Sequence, residues 1–69
     1  MIEVFKTNIT CKETAAAIVI QLQSKLPHAK INFDLHDCDN ILRVDAPHDM
    51  VQLVTAHLAD AGFYCEVLQ

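Results

Sequence analysis

At 69 residues the chain has room for one domain, and a domain this short buries only about 60% of its unfolded surface, which leaves little for a deep substrate cleft. A hydrophobic fraction of 52% with a single glycine excludes disorder and a loop-rich fold, and the longest apolar run, residues 15–20, falls far short of the ~20 residues of a membrane-spanning helix. The net charge of -4, without any basic run, argues against nucleic acid and against an anionic membrane as partners.

Residues 1–7 alternate, with Ile2, Val4 and Phe5, and predict a strand. Thr10-Cys11-Lys12-Glu13 fits a capping box, in which the Thr10 hydroxyl accepts from the Glu13 amide and the Glu13 carboxylate reaches back to the Thr10 amide. A helix is expected from 11 to about 26. Its apolar stripe is Ala15, Ile18, Val19, Leu22 and Leu26, and Pro27 stops it. Residues 30–37 alternate again, with Ile31, Phe33 and Leu35 on one side and Asn32, Asp34 and His36 on the other. Cys38-Asp39-Asn40 has turn chemistry, and residues 41–46 return as a strand with Leu42, Val44 and Ala46 inward. Pro47 and His48 lead into a second helix with Asp49 in its first turn; Val51, Val54, Leu58 and Ala61 form its stripe, and Gly62 is placed to end it in left-handed geometry. Residues 63–68 predict the last strand.

The order is strand, helix, strand, strand, helix, strand. Two helices cover one face of a four-stranded sheet, and the economical arrangement is an α+β, ferredoxin-like βαββαβ two-layer sandwich spanning 1–69, with an antiparallel sheet in the order 4-1-3-2. Three cysteines at irregular spacing suit a reducing compartment better than a disulfide framework. With no secretory leader visible ahead of the first strand, the expected location is cytoplasmic.

The stretch Asn8-Ile9-Thr10-Cys11-Lys12-Glu13-Thr14 resembles the Gly-Met-Thr-Cys-x-x-Cys loop of heavy-metal-associated domains and copper chaperones. Ile9 stands at the methionine position, Thr10 and Cys11 match, and Thr14 replaces the second cysteine. Asp60-Ala61-Gly62-Phe63 is similar to the junction that leads that family's last strand. Short chains with the motif lost are also similar to small bacterial proteins. The resemblance implies the same fold, and it implies a soft metal, Cu(I) or Zn(II), at Cys11. The departure at Thr14 falls on a ligand, because two thiolates clamp Cu(I) and a neutral hydroxyl is a poor substitute.

Read from the residues, Cys11 is equally a first helical position behind a capping threonine. At a helix N-terminus it is also a candidate reactive thiol. The topology brings the hairpin turn to the same end, so Cys11 and Cys38, with His36, are candidates for a weak metal or thiol redox site; Cys38 reads as well as an incidental turn residue. Cys65 is expected to be an inert inward residue. The histidines His28, His36, His48 and His57 lack the spacing of a helical metal pair, and the acids Asp34, Asp37, Asp39 and Asp45 fall on solvent-facing or turn positions without a shielded pocket. No phosphate loop or catalytic triad order is present, so no enzyme is expected. If Phe5, Thr7 and Ile9 face the helices, then Ile2, Val4, Ile41, Tyr64 and Leu68 share the open sheet face, an apolar patch suited to homodimerisation or to docking on a larger protein. The opposite register of strand one would bury Ile2 and Val4 instead.

Overall fold

A computed structural model describes residues 1–36 and 38–68. Its elements, in order, are β1 (Ile2–Thr7), α1 (Lys12–Lys25), β2 (Lys30–Asp34), β3 (Ile41–Asp45), α2 (Val51–Asp60) and β4 (Cys65–Leu68). The four strands form one antiparallel sheet in the order β2-β3-β1-β4, which read from the β4 edge is 4-1-3-2. Among the described residues no helix is long and apolar enough to cross a membrane.

Alternation along β1 decides which face is buried. Phe5 and Thr7 are buried, as is Ile9 just beyond the strand, whereas Ile2 is 64% exposed. The register Phe5↔Leu42 and Phe5↔Val67 places the ring at the centre of the helix-covered face. Leu42, Val44 and Ala46 point into the same core, where they meet Ala15, Ile18, Leu22 and Leu26 on the α1 side and Met50, Val54 and Leu58 on the α2 side.

The helix ends follow from local chemistry. The carbonyl of Leu22 accepts from the Leu26 amide at 2.8 Å, and Pro27 then bars a further turn. The Gln23 side-chain amide donates to the carbonyls of Leu26 (3.0 Å) and Ala29 (2.7 Å), which satisfies acceptors freed where the helix stops. At the end of α2, Gly62 has φ +88°, the Phe63 amide donates to the Leu58 carbonyl at 2.8 Å, and the Gly62 amide donates to the Ala59 carbonyl at 3.0 Å. This is the paired Schellman closure, and its left-handed residue is the one glycine in the chain. Asn40, at φ 51°, takes the other positive-φ position among the described residues, in the β2–β3 turn.

Several boundaries differ from the sequence expectation. The N-cap of α1 is Cys11 (φ -100°, ψ 130°) with no side-chain cap bond, so the capping box centred on Thr10 does not form. The first helical bond runs from the Ala15 amide to the Cys11 carbonyl at 3.0 Å. With the start one residue later, Glu13 falls a position too early to reach back to the cap amide. Strand β2 ends at Asp34, where the Asp34 carboxylate accepts from the His36 amide at 3.1 Å and turns the chain; Asp37 lies outside the described residues. Helix α2 begins at Val51, whose amide donates to the Asp49 carboxylate at 3.0 Å, so Asp49 precedes the helix rather than standing in its first turn. Ala61, expected in the α2 stripe, is exposed at the helix end.

Candidate functional site

Three connections meet at one end of the sheet, and Thr7 and Asn8 join them. Its side chain, 3% exposed, donates to the Asn40 carbonyl at 2.7 Å and accepts from the Ile9 amide at 3.2 Å. The Thr7 amide donates to the Asp39 carbonyl at 3.2 Å, and the Asn8 side chain accepts from the Tyr64 amide at 3.0 Å. The β1–α1 loop is thereby tied to the β2–β3 turn and to the α2–β4 connection. Cys11 and Cys38 belong to that end, and both are exposed free thiols.

At Cys11 the thiol donates to the Glu13 carboxylate, Sγ to Oε2 2.8 Å. This bond holds the Glu13 carboxyl below the usual carboxylate range, with a contribution from its own backbone amide. Thr14, at the second-cysteine position of the resembled loop, is half-buried. Among the described residues no group of three or more His, Cys, Asp and Glu side chains is arranged to hold a metal ion. The histidines are dispersed. His28 lines a small hollow with Met1 at the opposite end, and the ring of His48 contacts the backbone of Asp49. His57 bridges the helices: its Nδ1 lies 3.0 Å from the Lys25 Nζ and its Nε2 2.7 Å from the Gln21 Oε1. An ammonium only donates, so in this contact the ring Nδ1 faces the Lys25 Nζ as acceptor and Nε2 faces the Gln21 Oε1 as donor.

Cys65 faces the core side of β4 opposite Thr7, and burial pushes its thiol up to about 11. At pH 8 only roughly one such thiol in a thousand is thiolate, the reactive form. A timed alkylation of native protein, read by mass spectrometry, is therefore expected to modify Cys11 and Cys38 quickly and Cys65 slowly, with Cys65 catching up as the pH is raised toward 11. Equal rates for all three at pH 8 would contradict the half-buried, core-facing placement of Cys65.

The open sheet face is mixed. Ile2, Val4 and Lys6 of β1 stand beside Asp45, Arg43 and Ile41 of β3, and Val4 and Lys6 also pair with Leu68 and Glu66 of β4. Ile2 is exposed, Val4 and Leu68 are half-buried, and Tyr64, 48% exposed, bonds through its hydroxyl to the Glu66 carboxylate. That bond, together with burial, raises the Tyr64 hydroxyl above its ordinary range. Ile41 does not belong to the accessible patch: it is only 8% exposed. It is flanked by Lys6 on β1 and Asp34 on β2, and the Lys6 ammonium reaches to 3.7 Å from the Asp39 carboxylate beside the turn.

A second surface was not legible in the sequence. An open groove of about 870 Å³ runs between α1 and the edge strand β2; apolar Val19, Ile20, Ile31, Phe33 and Leu35 line it together with polar Asn32, Asp34, His36 and Arg43. Ile20 is 71% exposed beside it. The usable signal was the apolar run 15–20, which holds one more isoleucine than the α1 stripe needs.

Comparison with protein-family models, with curated proteins and with solved structures returns no match for this chain.

Proposed function

We propose that this chain is a ferredoxin-like domain, of the heavy-metal-associated kind in its element order, that acts through protein–protein contacts rather than catalysis. The carrying observation is the apolar surface on so small a body: Ile2 and Tyr64 stand exposed on the open sheet face beside Val4 and Leu68, and Ile20 stands exposed beside the α1–β2 groove. Exposed large side chains grouped in this way mark contact sites more often than isolated ones do. The open face is built on the hydrogen-bonded sheet and the groove on α1 and β2, so a partner meets a surface already set by secondary structure.

A photo-crosslinking residue placed at Ile2 in the producing cell is expected to trap a discrete protein species, whereas the same residue at Ala17, exposed on the outer side of α1, is expected to trap none. Absence of any trapped species from Ile2 and from Ile20 alike would refute the contact reading.

A further inference from the structure

Strand β2 is an edge of the sheet, and an edge offers unpaired backbone donors and acceptors to another strand. Its sequence is Lys30-Ile31-Asn32-Phe33-Asp34. Lys30, Asn32 and Asp34 are exposed and alternate to the open-face side, Ile31 and Phe33 are half-buried and alternate to the helix-covered side opposite Val44 and Leu42, and the groove takes in Asn32 and Asp34 as well as Ile31 and Phe33. We propose that two copies of this chain join antiparallel through β2, centred on Asn32, into one continuous sheet.

This deepens the contact reading above and rests on it. In that register Lys30 stands opposite the partner's Asp34, Asp34 opposite the partner's Lys30, and Asn32 opposite its own equivalent. Both charged pairs are then attractive, and opposite-charge pairs facing each other across strands stabilise a sheet. On the other side Ile31 meets the partner's Phe33, and Phe33 meets the partner's Ile31. The twofold axis is perpendicular to the sheet, so both helical layers lie on the same side. The α1–β2 grooves of the two copies therefore meet over the junction and bring the exposed Ile20 side chains toward cover. A register centred on Ile31 or on Phe33 leaves both charges without an opposite partner. The other edge, β4, carries one charged residue, Glu66, and has no self-complementary register. A symmetric contact of this type closes on itself and stops at the dimer.

The test is a charge swap followed by sedimentation of the full chain over a range of concentrations. K30D sets Asp against Asp across the junction, and D34K sets Lys against Lys. Each alone is expected to weaken self-association by roughly tenfold or more. An equimolar mixture of the two variants restores opposite charges at both pairs and is expected to sediment as a heterodimer. Lys30 also faces Asp45 within its own chain, and the Asp34 carboxylate holds the His36 amide. Circular dichroism therefore accompanies each variant, and N32C in a background with Cys11 and Cys38 changed to serine gives an independent readout. Position 32 is expected to form a symmetric disulfide on mild oxidation, because residues directly opposite in an antiparallel pair sit at bridging distance.

Wild-type protein that stays monomeric at every concentration, together with an N32C variant that forms no disulfide, would overturn the β2 dimer while leaving crosslinking from Ile2 to decide the contact reading. Dimerisation that ignores both charge variants and is abolished by Val4→Glu would also overturn it, and would move the contact to the open sheet face.

Discussion

Phe5→Ala is expected to remove a third or more of the stability of the domain. The ring is fully buried on a central strand, hydrogen-bonded between β3 and β4, and it faces Leu42 and Val67 across those pairs. Truncating a buried phenylalanine costs about 3–5 kcal/mol. A domain of this length has only about 3–10 kcal/mol in total, at 0.05–0.15 kcal/mol per residue. The loss therefore removes between a third and all of the stability. Ile2→Ala on the same strand, three residues away but on the exposed face, is expected to change stability by no more than ~0.5 kcal/mol. Urea unfolding followed by circular dichroism measures both. A Phe5→Ala midpoint equal to wild type, or an Ile2→Ala loss as large as that of Phe5→Ala, would reverse the assigned register of β1.

That register was the open question in the sequence, and the residues explain why. Ile2 and Val4 are as apolar as Phe5, so alternation alone allows either face inward. What decides it is Thr7 and Ile9, which continue the Phe5 side into the end where the connections meet. Element order and both helix stripes were legible because Ala15, Ile18, Leu22 and Leu26, and Val54 with Leu58, repeat at helical spacing. The start of α1 was not. Thr10 is the residue with cap chemistry, yet the helix starts one residue later, behind Cys11, in a loop held by Thr7 and Asn8 through contacts distant in sequence. The low exposure of Ile41 was hidden for a similar reason, because strand pairing sets it between Asp34 and Lys6, the latter 35 positions earlier. The α1–β2 groove was hidden as well, since its walls come from two elements whose separation no single-strand pattern encodes.

The candidate site was legible as a location more than as a chemistry. Sequence order placed Cys11 and the hairpin turn at one end, and the bonds from Thr7 to Asn40 and Asp39 join those two segments. The hydrogen-bond partner of Cys11 was not foreseen: Glu13 was expected to reach back to the Thr10 amide and instead accepts from the thiol. One shift in the helix start accounts for both differences. It frees the Glu13 carboxylate from the cap amide and leaves it free to turn to the neighbouring sulfur.

Thr7→Val is expected to lower stability by about 1–3 kcal/mol, because the shape is kept while both hydrogen bonds of a buried hydroxyl are lost. The Asn40 carbonyl loses its donor and the Ile9 amide loses its acceptor, in surroundings where Thr7 itself is almost fully covered. Thr7→Ser keeps the hydroxyl and removes one methyl group, a change of about 1 kcal/mol. The two variants therefore separate polar satisfaction from packing at a single position. Hydrogen exchange adds a local readout: the Ile9 amide is expected to exchange faster in Thr7→Val than in Thr7→Ser, even when the two are compared at matched global stability. If valine proves as stable as threonine and Ile9 exchange is unchanged, the hydroxyl does not hold this end together. The positioning of Cys11 and Cys38 at that end would then have to come from the backbone pairing of Thr7 with Asp39 alone.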